Sequence, residues 1–551
     1  MLDSPFAEIF RRIAAEHGER DCVVTPLERV TYAEAHETVE RIASFLEARG
    51  FGAHRERRDL EGHASGQDHL GILAGNGRAY LETMFAAMRA RLAPVNLNYR
   101  YTAPELRQVL RVAEVNVIAY EADLAEVVGD AIAGGEPPAL MIELGGGRTA
   151  RLPGAVSMAT VLEAGGPPAS CVPQADDLVV SCTGGTTGLP KAVLWRQGDL
   201  LAGVIGNPHT ITNQPVRSLE DLLASARRPQ VRALLGPPLM HFSGFGTAMM
   251  LASMGGAIIL ADPPRGMNPQ SIWSMVERER ARFLTVVGDA FGRPLLETFR
   301  SCRYDASSLR AILNGGAAMS PDVKRGLHEA FDGKVAITDG VGSTEGGIQA
   351  RTRWTGSEQP ATFAAAAQTR LLNAAKTAVL QPGDGEIGWL ATAGRVPLGY
   401  LGEQQRTRET FPVIDGARCA VPGDRARWID AERIELLGRD STTINSGGEK
   451  IFSEEVERAL LRHCSVREAI VVGRPSLRWG EEAIALVALH PGFALDQAAI
   501  LASAGEALAR YKLPKAILRV DEVRKTAVGK PDLVWARGLA AQGGPHAHDR
   551  P

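Results

Sequence analysis

The chain has 551 residues, more than one core usually supports, so two or more domains are expected at roughly 100 to 200 residues each. Its 61 Lys and Arg against 64 Asp and Glu leave a net charge of -3 with both signs interspersed, which excludes nucleic acid as the main partner. Six cysteines, Cys22, Cys171, Cys182, Cys302, Cys419 and Cys464, lack any paired spacing. A zinc site and a disulfide framework are thereby excluded, and a reducing cytoplasmic setting fits.

The first twenty residues, MLDSPFAEIFRRIAAEHGER, mix charges with apolar residues and lack the continuous apolar core of an export signal. His54, His63 and His69 follow in a polar region with no metal-ligand spacing. Loops rich in Gly and Pro are expected near 133–154 and 164–173. Two strand-like runs, Leu178 to Ser181 and Ala192 to Trp195, then enclose TGGTTGLPK. A Walker loop is excluded there, because Lys191 follows Pro190 and precedes Ala192, where that loop needs Gly-Lys-Ser/Thr opening a helix. What remains is a glycine-rich loop between strands. Gly184, Gly185 and Gly188 let backbone N–H groups turn toward an anion, and Thr183, Thr186 and Thr187 add hydroxyls.

Beyond a polar stretch near 212–230, Phe242 to Ala261 carries no charge over about the length of a membrane span. Gly244, Gly246, Gly255 and Gly256 interrupt it, so a buried helix followed by a buried strand is expected. Strand-like runs then alternate with helical patterns: Gly256–Leu260, Gln270–Arg280, Phe283–Val287 and Leu309–Leu313. That is the pattern of βαβ units in a largely parallel sheet. Ser320 and Pro321 are placed to cap and open the next helix. After IELLGRDSTTINSGGEK the texture changes to a helix capped at Ser453, short strands at Ala469–Gly473 and Ala483–Leu489, and a helix ending at YKLPK. This is a compact α+β module of about a hundred residues, with a tail expected to be disordered from about Gly543.

An ordered series of tracts spans nearly the whole length: APVNLNYRYTAPEL, the Thr183 to Lys191 loop, PPLMHFSGFG, NGGAAMS, VGSTEGG, GEIGWLATAGRVPLGYLG, PGDRA, LLGRDSTTINSGGEKIFSEEVE and TAVGKPD. In this series the chain resembles the adenylate-forming superfamily of acyl- and aryl-CoA synthetases, peptide-synthetase adenylation domains and luciferases. WRQGD and GKPDLVWAR look most like the branch that activates fatty and steroid-derived acids. The resemblance implies an α/β chain with a large adenylation domain of parallel-rich sheets over 1–438 and a small mobile α+β lid domain over 442–551.

It also implies ATP, magnesium and coenzyme A as reaction partners of a small carboxylic acid. The acid attacks the α-phosphorus of ATP, pyrophosphate leaves, and a thiol then takes the acyl group. By resemblance Gly185, Thr186, Thr187, Gly188 and Lys191 hold the β- and γ-phosphates, with Thr183 and Gly184 opening the loop. Glu345 holds magnesium, with Thr186 beside it, and Thr344 lies near the α-phosphate. Gly315, Gly316 and Ala317 form the strip along adenine, while Asp424 and Arg439 contact ribose. Lys530 bridges the carboxylate and the α-phosphate, His241 lines the acyl channel, and Gly447, Gly448 and Lys450 belong to the turn facing coenzyme A. Gly244 and Gly246 are expected to leave room for a bulky acyl group. The chain departs from the family at Val341, where an aromatic is common, at Ser441, where the hinge is Asp or Lys, at Pro422, and at Arg524-Lys525-Thr526. A carrier-protein thiol as acceptor, or a non-catalytic binding role, are the alternatives at this stage. A peripheral membrane contact, the oligomeric state and the identity of the acid stay open.

Overall fold

The computed structural model describes residues 3–145, 150–184, 190–205, 216, 218–262, 265–354, 362–446, 449–476, 480–508, 510–526 and 530–542. Packing divides the chain into two compact units: Met1–Ser357, Ala366–Thr369 and Ala391–Pro422 form the first, and Glu358–Ala365, Arg370–Leu390 and Gly423–Pro551 the second.

The first unit is built on parallel strands, as the alternating pattern predicts. In one sheet the strands His69–Leu73, Ala93–Asn96, Val115–Glu121 and Leu140–Leu144 run parallel. His69–Leu73 and Ala93–Asn96 are buried at every position, the condition of strands covered on both faces. Leu178–Gly184 joins the same sheet parallel to Ala93–Asn96. It turns back antiparallel into Pro190–Arg196, with Thr183 opposite Lys191 and Gly184 opposite Pro190. The strand–loop–strand reading of this tract therefore holds. Gly399–Tyr400 closes the edge, antiparallel to Pro190–Arg196.

Six strands of a second sheet, Asp21–Val24, Ala257–Ile259, Arg232–Leu235, Phe283–Val286, Ala311–Gly315 and Ala336–Ser343, lie side by side in parallel. Gly347–Arg353 then turns back antiparallel to Ala336–Ser343. The uncharged tract forms the helix Phe242–Ser253 and the strand Ala257–Ile259, both largely buried. A helix apolar on all sides belongs in a core. No helix among the described residues is long and apolar enough to cross a membrane.

Two helices begin where expected but lack the expected side-chain caps. Ser320 precedes the helix Pro321–Ala330 but makes no capping bond; its hydroxyl lies 3.4 Å from the Arg293 guanidinium. Its own amide donates to Asp289 at 2.7 Å. Ser453 lies inside the helix Ser453–Leu460 rather than before it, and its hydroxyl donates to the Thr442 carbonyl at 2.6 Å. In both cases a tertiary partner takes the hydroxyl that local pattern assigns to the helix end.

Near the ends of the parallel strands Asn314, 5% exposed, organises a buried polar chain. Its Oδ1 accepts from the Gly288 amide at 2.6 Å, and its Nδ2 donates to the Ala317 carbonyl at 3.0 Å and to Asp339 at 2.8 Å. The other Asp339 oxygen pairs with Lys324. Gly288 has a φ of +54°, and a Cβ there would meet the Ala318 carbonyl oxygen at 2.5 Å, so glycine is required where Asn314 grips the backbone.

In the second unit the strands Thr443–Ser446, Glu449–Phe452, Val466–Ser476 and Gly480–Leu489 pair antiparallel, and Ala516–Val520 joins parallel to Gly480–Leu489. The helices Ser453–Leu460, Gln497–Gly505 and Leu533–Gln542 complete the expected α+β texture. Glu457 on the first of these helices accepts from the Val471 amide at 2.8 Å. Burial, reinforced by nearby Glu454, pushes its carboxyl up to about 8 against the pull of the Val471 amide and Arg458.

Two outcomes follow from these buried polar groups. Replacing Asn314 by Leu strands the Gly288 amide and removes a donor from Asp339, so chemical denaturation should show a loss of about 1–3 kcal/mol for each abandoned group; an unchanged midpoint and slope would show that neither bond contributes. Glu457 binds a proton in the folded chain at pH values where it is ionised in the unfolded chain, so its contribution is complete below about pH 4.5 and is lost as pH rises through about 8. The slope approaches roughly 1.4 kcal/mol per pH unit between those values. Glu457→Gln should match the natural chain at pH 5 and be the more stable at pH 8.5; coincident melting profiles across that range would refute the assignment.

Candidate active site

The turn between the strands Ala336–Ser343 and Gly347–Arg353 carries Ser343, Thr344, Glu345 and Gly346, and four groups fix it. The Trp195 indole N–H donates to the Thr344 carbonyl at 2.8 Å. Within the turn the Ser343 hydroxyl accepts from the Gly346 amide at 2.8 Å. The Thr392 hydroxyl donates to the Gly346 carbonyl, also at 2.8 Å. Tyr400 donates its phenol to Glu345 Oε1 at 2.9 Å. The glycines are steric necessities here: a Cβ on Gly342 would meet the Gly347 carbonyl oxygen at 2.4 Å, and Gly347 has a φ of +62°. The hairpin leaves no volume for a side chain at Gly342, and at Gly347 it needs a left-handed backbone that side chains rarely adopt.

Tyr400 is 1% exposed. Burial and the Glu345 carboxylate push its phenol well above its ordinary range, so it stays protonated and acts as a donor. Its ring packs edge-on to Phe411 with centroids 5.6 Å apart. The Lys191 ammonium stands 5.1 Å from the centroid of the same ring, within cation–π range. Lys191, Tyr400 and Glu345 are thus one connected group, and Lys191 shares its strand with Trp195. One strand therefore supplies both the Lys191 cation and an anchor for the turn bearing the carboxylate.

Magnesium is the cation that the resemblance implies for Glu345. Among the described residues no hydrogen bond takes the second oxygen of Glu345, and no group of three or more His, Cys, Asp or Glu is placed to hold a metal ion. A single carboxylate with an oxygen to offer fits magnesium, which commonly takes one or two protein carboxylates together with substrate phosphates and waters.

His241 is the residue before the helix Phe242–Ser253. Its backbone carbonyl accepts from the Gly244 and Phe245 amides at 2.9 and 3.0 Å. Two asparagines hold the segment before it. Asn76 takes the Leu239 amide at 2.7 Å and donates to the Pro237 carbonyl at 3.3 Å. Asn96 donates to the Met240 carbonyl and accepts from the Cys182 amide at 3.0 Å. The expectation that Gly244 and Gly246 open an acyl space is overturned. A Cβ on Gly244 would lie 2.1 Å from the Pro238 carbonyl oxygen, and one on Gly246 would lie 3.1 Å from Val204. Both glycines let a helix pack closely instead.

Gly315, Gly316 and Ala317 follow the buried strand Ala311–Gly315, with Gly316 at a φ of +83° and the Ala317 carbonyl held by Asn314. In the second unit Asp424 and Arg439 stand opposite each other on paired strands, and the Arg439 Nε donates to Asp424 at 3.1 Å. Lys450 is paired in register with Asn445. Lys530 is exposed and its carbonyl accepts from the Thr526 amide at 2.7 Å. Lys525, in the tract that departs from the family pattern, pairs with Glu468 at 2.9 Å. Gly185, Thr186, Thr187, Gly188, Gly447, Gly448 and the tail from Gly543 lie outside the described residues.

Of the residues expected from sequence the structure brings Lys191, Thr344 and Glu345 together, around Trp195, Tyr400 and Thr392, which sequence reasoning did not single out; Asn76, Asn96 and Asn314, which hold neighbouring segments, were not singled out either. The tyrosine lay within a quoted tract, VPLGYLG, but nothing local couples a tyrosine to a carboxylate 55 positions earlier.

Comparison with known proteins agrees with this geometry. A family model described as AMP-binding enzyme matches residues 10–401, and one described as AMP-binding enzyme C-terminal domain matches 455–530. The medium-chain acyl-CoA ligase Mig of Mycobacterium avium is 40% identical over 546 residues, covering 97% of this chain and 98% of that protein. A medium/long-chain-fatty-acid–CoA/3-oxocholest-4-en-26-oate–CoA ligase of Mycobacterium tuberculosis is 32% identical over 543 residues, covering 95% of this chain and 94% of that protein. Among solved structures the amide bond synthetase McbA of Marinactinospora thermotolerans aligns with a TM-score of 0.79 at 21% identity, over 98% of this chain and 100% of that one, a likeness of fold. With the glycine-rich hairpin, the locked acidic turn and both family models in register along its length, the chain belongs to the AMP-binding enzymes of the adenylate-forming superfamily.

Proposed function

We propose that this chain is an ATP-dependent, AMP-forming acyl-CoA synthetase whose carboxylic acid is a fatty or steroid-derived acid and which works in the cytoplasm. The observation that carries the reaction class is the connected group of Lys191, Tyr400 and Glu345 on the edge of the first unit's sheet. The acid class is supported by the printed activities of the relatives at 40% and 32% identity.

The chemistry brings two anions, a carboxylate and a triphosphate, to one phosphorus atom. Oriented positive charge must offset their repulsion, and in a preorganised site such charge lowers the barrier without moving during the reaction. Lys191 supplies one charge from a strand fixed on both sides by pairing. Glu345 would hold magnesium, which when bound would supply charge stabilisation to the phosphates. Thr186 and its neighbours in the glycine-rich loop add donors to the same phosphates, and Thr344 lies near the α-phosphate. Adenine runs along Gly315 to Ala317, the turn held by Asn314. Asp424 accepts from the ribose hydroxyls, and Arg439, already bonded to it, fixes its orientation. Lys530 contributes a compact charge on a flexible stem to the carboxylate and the α-phosphate. His241 borders the acyl group, and Gly447, Gly448 and Lys450 face coenzyme A in the second step. The same proposal includes an adenylation domain to about residue 438 and a mobile lid from about 442, with Ser441 at the hinge.

The test of the reading is pyrophosphate release with ATP, magnesium and a panel of fatty and steroid-derived acids, followed by thioester formation with free coenzyme A. Acid-dependent release with thioester product is expected; no release with any acid of the panel overturns it. Glu345→Ala should slow adenylation by about a hundredfold or more, the scale of losing one charge-stabilising element, and the natural enzyme should stop when magnesium is chelated; full turnover in excess chelator rules the metal role out. Lys530→Ala should block adenylate formation yet convert a preformed acyl-adenylate and coenzyme A to thioester at near the natural rate, because an interaction absent from a transition state cannot accelerate that step. Equal impairment of both half-reactions would assign Lys530 a structural role.

A further inference from the structure

We propose that Tyr400 is a positioning residue for the metal-binding carboxylate, holding Glu345 by one oxygen so that the other is presented to the cation, and tying that carboxylate to the lysine of the glycine-rich hairpin. This rests on the reading of Glu345 as the magnesium ligand.

The argument begins with freedom. A glutamate side chain has three torsions, and a half-buried one samples several rotamers unless something fixes its end. Glu345 sits on a turn whose backbone is already fixed at Thr344 and Gly346 by Trp195, Ser343 and Thr392. The remaining freedom is in the side chain, and the phenol of Tyr400 at 2.9 Å from Oε1 removes it. Tyr400 is itself immobile. It is buried, its ring packs on Phe411, and its backbone pairs with Val193 on the strand that carries Lys191. Its amide also donates to the Thr407 hydroxyl oxygen at 3.0 Å. Gly399 beside it has a φ of +146°, and a Cβ there would meet the Thr407 hydroxyl at 2.6 Å, so the backbone that delivers the ring is closely packed.

A neutral donor suits this role better than a cation. An Arg or Lys at the same place would satisfy the carboxylate as an ion pair, and its positive charge would oppose the incoming metal. A phenol donates one bond, leaves the carboxylate its charge, and offers the face of its ring to the Lys191 ammonium 5.1 Å from the centroid. One side chain thereby sets the place of a negative group and borders a positive one, the pair that must straddle the phosphates.

The test is equilibrium binding of ATP by calorimetry, without acid substrate, across a magnesium titration and again in chelator. Tyr400→Phe keeps the ring and removes the hydroxyl. It should weaken the magnesium-dependent part of ATP binding roughly tenfold, the scale of one hydrogen bond to a charged group, and leave binding in chelator unchanged. In a Glu345→Gln background the same substitution should add nothing. Three results would overturn the proposal: a natural magnesium dependence in Tyr400→Phe while Glu345→Gln loses it, which leaves the reading of Glu345 intact; an equal loss with and without magnesium, which marks a merely structural tyrosine; or a natural dependence in Glu345→Gln, which removes the metal reading itself. Thermal melting of each variant, compared with the natural chain, separates a folding defect from these outcomes, and Tyr400→Trp, which restores a buried N–H donor, provides a second variant in which recovery of the dependence is expected.

Discussion

The indole of Trp195 donating to the Thr344 carbonyl is the contact on which the rest of the site depends. It joins the strand next to the edge of one sheet to the turn that ends the parallel run of the other, with the indole buried and Thr344 half-buried. A turn of four residues presents a charged side chain at a defined place only if its backbone has one conformation. Here the indole, the Ser343 hydroxyl and the Thr392 hydroxyl each take one backbone group of the turn or its flank. Buried polar groups left without such partners are costly, so each bond also makes the alternatives unfavourable. The carboxylate of Glu345 is then a consequence of packing as much as of its own chemistry.

The sequence showed the parallel architecture because period and composition carry it: continuous apolar runs for strands covered on both faces, amphipathic stretches between them, and glycines where the chain turns. The hairpin around the glycine-rich loop and the buried helix at Phe242–Ser253 were legible for the same reason. Helix caps were less so. Ser320 and Ser453 have the right residue type in the right place, but Arg293 and the Thr442 carbonyl claim their hydroxyls, and tertiary competition of that kind leaves no local trace. The candidate site divided along the same line. The candidate ligand-facing residues occur in short contiguous tracts and are readable, whereas Tyr400, Asn314 and Asn76 act on groups 55, 26 and 163 positions away.

Gly244 shows where a sequence argument about space goes wrong. A missing side chain near a ligand can mean a cavity or can mean that something else already fills the volume, and composition does not distinguish them. At Gly244 the filler is the backbone of Pro238 and Leu239, with the carbonyl carbon 2.6 Å and the Leu239 Cα 2.9 Å from where a Cβ would stand. The same close approach brings the helix against the segment that ends in His241. The two observations belong together: Asn76 and Asn96 hold the Pro237–Met240 backbone from one side, and glycine admits it on the other.

On the proposed reading, in which His241 borders the acyl group, that border is fixed backbone rather than a flexible gap. Breadth toward bulky acids must then come from side chains elsewhere on the wall, since enlarging Gly244 would displace main chain before it altered any channel. A substitution there would report on folding first, and its effect on acid preference could not be separated from that. On that reading acid preference would be carried by side chains that can change size without moving the segment before His241, whereas Thr344 and Glu345 sit on a turn whose backbone is held at several points. That asymmetry suits an enzyme in which the phosphate chemistry is fixed and the acid is the variable.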